Sequence, residues 1–203
     1  MNFILSAVLL LGFGLLQVRE IEQHVGAGTR ADTNDQQDPT TTMPQKQKII
    51  TSLWFNNEAE EAIRLYTSIF KDSKVLDETR WGEGGPLPKG TLLSAKFQLA
   101  GQEFIALNGG PAFQFTEAIS LLVNCESQQE VDELWAKLTA DGGEPGQCGW
   151  LKDKYGVSWQ VIPTVLLKMM QDKDPAKARR VTEAMMQMGK LDIARLQQAY
   201  DGR

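Results

Sequence analysis

Two stretches of the chain, "SLWFNNEAEEAIRLY" at 52–66 and "SLLVNCESQQEVDELW" at 120–135, lie on one another with one insertion. Ser52 matches Ser120, Asn56 matches Asn124, Glu58 matches Glu126 and Ile63 matches Val131. Each copy reads as strand, turn and helix. Each continues into a hairpin around a glycine, Gly101 or Gly156, with an aromatic three residues on, Phe104 or Trp159. A repeat of this length constrains the fold more than any other feature, because each copy is one supersecondary unit that buries its apolar face against the other. The economical reading is α+β: two βαβββ modules whose curved sheets pair into a cup.

The local signals agree. Ile49–Phe55, Leu92–Leu99, Glu103–Leu107, Ile119–Asn124, Gly149–Lys152 and Val157–Ile162 are strand-like. Over Glu58–Phe70, the residues Ala59, Ala62, Ile63, Tyr66 and Ile69 share one helical face. Ser127 with Glu130 forms a capping box for a helix over Ser127–Ala140. "GEGGPLPKG" and "DGGEPG" read as loops. A different pattern comes next: Asp174-Pro175 opens a helix with Val181, Met185 and Met188 as its apolar stripe. Asp192 caps a last helix carrying Ile193, Leu196 and Tyr200. A stripe outside the repeat needs a cover, and a second chain is one, so a homodimer is expected.

Residues 1–43 stand apart. Phe3–Val18 is an apolar run of 16 residues, short for a membrane span. It lacks a basic flank and a clear cleavage site. "GAGTRADTNDQQDPTTT" is a polar linker, and Met43 follows it directly. An export signal or anchor, an extension upstream of a start at Met43, and a buried helix all remain open. The domain is taken to span 44–164, with modules at about 46–111 and 117–164, and a helical tail over 165–203. The expected location is cytoplasmic, or exported or membrane-anchored if residues 3–18 serve that purpose.

Composition narrows the chemistry. The formal net charge is −5, but after residue 42 there are 19 basic and 21 acidic residues, a balance that argues against nucleic-acid binding. Two cysteines, Cys125 and Cys148, are too few for a disulfide scaffold or a zinc ribbon. The only histidine is His24, so a Ser-His-Asp or Cys-His mechanism lacks its base in the body of the protein. Glu58, Glu126 and Asp153 are acids near strand ends, each with a routine capping or turn role. Gly82-Glu83-Gly84-Gly85 runs into Pro86-Leu87-Pro88 and cannot open the helix that a nucleotide-type glycine loop requires.

"LWFNNEAEEAIRLYTSIF", "FIALNGGPAFQF", "CGWLKDKYGVSWQVIP" and "AMMQMGKLDIARLQQAY" together resemble the PhnB-like branch of the vicinal oxygen chelate superfamily, the glyoxalase/bleomycin-resistance/dioxygenase fold. Some members of the branch are named 3-demethylubiquinone-9 3-methyltransferase. The resemblance implies paired βαβββ modules and, in the metal enzymes, His and Glu ligands on the inner strands. Carried over, those positions are Thr51 or Ser52, Ile105 or Ala106, Ile119 or Ser120, and Gln160. None is His, Asp or Glu, and hydroxyl and amide groups are poor ligands for a transition metal. The expectation is therefore a metal-free cup that takes no cofactor and binds a small organic molecule through Ser52, Trp54, Asn108, Phe113, Ser120 and Gln160. An enzyme of the superfamily, or the methyltransferase of the branch's name, is the alternative.

Overall fold

The structure is a computed structural model and describes residues 47–203; the expectations for residues 1–43, including His24, lie outside them. Lys48–Arg203 form one compact unit. The first module runs β1 (Thr51–Phe55), α1 (Ala59–Ile69), β2 (Lys74–Arg80), β3 (Leu92–Leu99) and β4 (Gln102–Asn108). The second runs β5 (Leu121–Cys125), α2 (Gln128–Leu138), β6 (Glu144–Pro145), β7 (Trp150–Lys152) and β8 (Ser158–Pro163). Three tail helices complete the chain: α3 (Thr164–Met170), α4 (Pro175–Met186) and α5 (Ile193–Asp201). Each module is one four-stranded sheet in the same order, β1-β4-β3-β2 and β5-β8-β7-β6. The first and last strand of each pair in parallel, and the hairpins are antiparallel.

Local chemistry accounts for the elements. The β3–β4 hairpin turns on Ala100 and Gly101, both at positive φ, as a two-residue turn matched to strand twist demands. Ser127 Oγ accepts from Glu130 N at 3.2 Å. The returning carboxylate of Glu130 accepts from Glu126 N at 2.7 Å, one residue before the position a capping box predicts. Asp174 and Asp192 cap α4 and α5.

Two strands carry no signal in the sequence. In β2, "KVLDETR", every residue is exposed, so no apolar alternation marks it. It is held by pairing with β3 and by Arg80, which grips Glu60 and Glu78. β6 is only two residues long. Helix α3 is equally silent, because it continues from β8 without a side-chain cap.

One apolar core serves both modules. Leu53, Phe55, Phe97 and Phe104 from the first sheet share it with Leu151, Trp159 and Val161 from the second, and α1 and α2 contribute Ala62, Ile63, Tyr66, Val131, Leu134 and Leu138. Phe70 stacks on Trp159 with ring centroids 5.4 Å apart. The stripe on α4 is buried within the chain itself: Val181, Met185 and Met188 are each under 5 % exposed. The polypeptide around them closes through Cys148 N to Met188 O (2.7 Å) and Gly149 N to Gly189 O (2.8 Å). This stripe is therefore no ground for a dimer, since the tail covers its own apolar face.

Candidate functional site

In a strand, successive side chains point to opposite faces. The buried residues of both sheets face the shared core, so the alternate residues form two open faces directed away from it. On the first sheet these are Ser52, Trp54, Lys96, Ile105 and Leu107. On the second they are Leu122, Asn124, Trp150, Lys152 and Gln160. All are half-buried or exposed.

The six candidate residues divide among three places. Gln160 and Ser120 meet on the second open face, where Gln160 Nε2 donates to Ser120 Oγ at 2.8 Å. Ser52 and Trp54 lie on the first. Trp54 Nε1 donates to Gly110 O at 2.9 Å, and its ring meets Phe113 edge-on at 5.0 Å. Phe113 is 66 % exposed. Asn108 stands on the core side. Its Oδ1 accepts from Ala59 N at 2.9 Å and its Nδ2 donates to Leu92 O at 3.0 Å. It supplies the cap that α1 lacks from its own N-cap residue, Glu58.

The register settles which positions correspond. Ser52 lies opposite Ile105, and Leu122 lies opposite Gln160. The structural counterpart of Ser52 is thus Leu122, two residues beyond the Ser120 chosen by sequence. Relative to the sequence alignment the helices, Ala59–Ile69 and Gln128–Leu138, shift by one residue and the strands slide by two, and the two-residue slide preserves the strand face. Ser120 sits diagonally from Gln160, within reach of a long side chain. The ambiguity between Ile105 and Ala106 resolves to Ile105, since Ala106 is fully buried in the core.

The donor set at Ser52, Ile105, Leu122 and Gln160 is one hydroxyl, two aliphatic chains and one amide, which does not fit a divalent metal of the vicinal oxygen chelate kind. Among the described residues no three His, Cys, Asp or Glu side chains come together as a metal cluster would require. Ser158, on the same face of β8, is 1 % exposed, and its hydroxyl has no hydrogen-bond partner among the described residues. Opposite it, Lys152 Nζ pairs with Glu117 Oε1 at 2.6 Å.

A cleft of about 460 Å³ opens beside this face, between the edge of β1 and the edge of β5. Its walls are apolar: Phe70, Phe104, Leu121 and Trp159. Its polar groups are Thr51, Gln102, Ser120 and Asn124. Ser120 therefore belongs both to the cleft and to the Gln160 pair.

Asp153, a turn residue by sequence, does more than turn the chain. It is 3 % exposed and accepts four hydrogen bonds. Its Oδ1 takes Tyr155 N (2.9 Å) and Val157 N (3.0 Å). Its Oδ2 takes Tyr66 Oη (2.6 Å) and Trp159 Nε1 (2.8 Å). Tyr66 comes from the first module, so this carboxylate joins the two. Burial pushes the carboxyl above the usual carboxylate range, against the pull of its four donors. Burial, with the Asp153 charge second, holds the Tyr66 phenol well above its ordinary value. Cys125 and Cys148 are both free and buried, and burial drives the Cys125 thiol up to about 12, away from the reactive thiolate form. Glu126 accepts from Thr164 Oγ1 at 3.1 Å, while Glu58 turns back to the amide of Asn57.

Gly82–Gly85 lies in the connection between the antiparallel strands β2 and β3, with no helix after it. It is not the strand-to-helix loop that cradles a nucleotide-like cofactor. Among the described residues no helix is long and apolar enough to cross a membrane.

Residues 47–162, more than half of the chain, match the family model described as 3-demethylubiquinone-9 3-methyltransferase. Among solved structures, the PhnB protein of Bacillus cereus, described under the same methyltransferase name, is 42% identical with a TM-score of 0.55. The match covers 58% of this chain and 100% of that one. A protein from Staphylococcus aureus is 34% identical over 56% of this chain and 93% of its own, at a TM-score of 0.27. A glyoxylase/bleomycin resistance protein/dioxygenase domain from Frankia sp. EAN1pec is 19% identical over 58% of this chain and 91% of its own, at 0.40. No curated protein matches.

Proposed function

This chain belongs to the 3-demethylubiquinone-9 3-methyltransferase family, the PhnB-like branch of the glyoxalase/bleomycin-resistance fold, and from that premise we propose that it is a small-molecule-binding protein. The observation that carries the reading is the junction at Ser120. There a hydrogen-bonded amide–hydroxyl pair stands at the mouth of an apolar cleft whose size suits a small organic ligand. Ligand pockets of this kind combine apolar walls with a few placed polar groups; Ser120 and Asn124 supply them here, and Gln160 holds Ser120 from the adjoining face. Trp54 and Phe113 offer an aromatic surface on the other open face, and a second copy of the chain covers these faces in a homodimer. The family's methyltransferase name finds no glycine-rich cofactor loop in Gly82–Gly85, which favours binding over methyl transfer.

The test uses the full chain purified without a tag. Elemental analysis for nickel, zinc and manganese is expected to give sub-stoichiometric metal. A thermal-shift screen of small organic molecules is expected to yield ligands whose effect is lost in Gln160→Ala and Ser120→Ala, while both variants melt cooperatively. Stoichiometric metal removed by Gln160→Ala would overturn the reading. Sedimentation at micromolar concentration tests the dimer, and a single 22.6 kDa species would end it.

A further inference from the structure

The cleft beside β5 carries no charged side chain. Its polar groups, Thr51, Gln102, Ser120 and Asn124, are all neutral, and the rest of its lining is apolar. The nearest cation on the second open face, Lys152, is spoken for. Glu117 bonds it at 2.6 Å, and that bond pulls the Glu117 carboxyl below its ordinary range and lifts the Lys152 ammonium above its own. On the first open face the same cancellation recurs, with Lys96 Nζ 2.6 Å from Glu103 Oε2. A groove adjoining the cleft toward α2 does hold charge, Lys71 and Lys137 with Glu130 and Glu133, again of balanced sign.

Resting on the small-molecule reading above, we infer that the ligand is uncharged. It has an apolar, ring-sized body lying against Phe70, Phe104 and Trp159, and a neutral head, a carboxamide, ketone or alcohol, hydrogen-bonded by Ser120 and Asn124, with Ser120 held in turn by Gln160. The physical reason is desolvation. An anion entering this cleft sheds water against apolar walls and meets no cation in its lining, and a lone charge taken from water without a partner is costly. A neutral carbonyl loses far less, and hydroxyl and amide donors can meet it.

Matched pairs that differ only at the head, such as benzamide with benzoate and 2-naphthamide with 2-naphthoate, test this by calorimetric titration of the full chain. In each pair the carboxamide is expected to bind at least about tenfold tighter. Leu122→Lys places a cation on the cleft wall at a position already 41 % exposed, so the fold should tolerate it. It is expected to narrow or reverse the preference within each pair. A tighter carboxylate in the wild-type chain, or a ratio unmoved by Leu122→Lys, overturns the inference and leaves the small-molecule reading standing. If neither member of any pair binds, that reading fails along with it.

Discussion

The two modules repeat one topology and differ in what they place at equivalent points. At the β3–β4 corner the first module turns on Ala100 and Gly101, a two-residue reversal with no buried polar group. At the β7–β8 corner the second module carries Asp153 with four donors closing on it. Opposite Ser52 the first module has Ile105; opposite Leu122 the second has Gln160. The second helix is capped by its own Ser127, whereas the first borrows Asn108 from a distant strand. The scaffold occurs twice. The buried carboxylate and the strand amide both stand in the second copy, where the strand bearing Gln160 sits next to the inter-module joint.

The largest effect should come from deleting that joint. Asp153→Ala leaves two backbone amides, an indole and a phenol without their acceptor, and is expected to lower stability by about 3 kcal/mol or more in urea titrations. Changing Ala100, in the turn of the first module's hairpin, to Ser should move stability by no more than about 0.5 kcal/mol. Comparable losses at both corners would erase the asymmetry.

Next is the borrowed cap. Asn108→Ala removes the acceptor for Ala59 N and the donor to Leu92 O, and a loss of about 1–2 kcal/mol is expected. Ser127→Ala, the local cap of α2, should cost about 1 kcal/mol. A thermal melt that ranks them the other way would show that the distant cap is no better than the local one.

Tyr66→Phe keeps the ring packing and removes one hydrogen bond, for about 1 kcal/mol. Its pH dependence is more telling. Because burial raises the Asp153 carboxyl in the folded chain, the native state holds that proton more tightly than the unfolded state does. The resulting stabilisation is full below the ordinary carboxylate value, about 3.9, and is lost as pH rises through the folded value. Tyr66 favours the ionised form, so Tyr66→Phe should carry this falling limb to higher pH, and Asp153→Ala should lack it. Urea midpoints measured from pH 4 upward check the direction; identical limbs in wild type and Tyr66→Phe would refute the account.

The smallest effect is a swap between copies. Gln160→Ile gives the second module the residue of the first. Stability is expected to change by less than about 1 kcal/mol, because the amide is only half-buried and its one bond is to a hydroxyl. Thermal response to any cleft ligand should vanish. A large loss of stability would make Gln160 a structural residue.

How much of this is legible in the chain depends on where each partner lies. The face of Ala59, Ala62, Ile63 and Tyr66, the Ser127 cap and the Asp174 cap are local patterns, and all three stand in the structure. β2 leaves no trace because neither of its faces is buried. Asn108 looks like a hairpin residue because its partner, Ala59, is 49 positions away, and Asp153 looks like a turn because Tyr66 is 87 away. The two-residue slide that pairs Ser52 with Leu122 is invisible to a comparison of letters, because Ser52 and Ser120 are identical and the true counterparts are not. The burial of Val181 and Met185 depends on a fold-back that only three dimensions decide.

That fold-back sets an order of events during synthesis. The amides of Cys148 and Gly149 find their acceptors at Met188 and Gly189, so the beginning of β7 stays unfinished until nearly the whole chain has left the ribosome. The first module closes its own sheet by residue 108, although its Tyr66 and Phe70 meet Asp153 and Trp159 only later. N-terminal parts fold first as chains emerge, and here a segment some 40 residues downstream completes the half bearing Gln160. A nascent chain stopped short of Met188 would therefore present both sheets paired and sharing their core, with the start of β7 still unpinned.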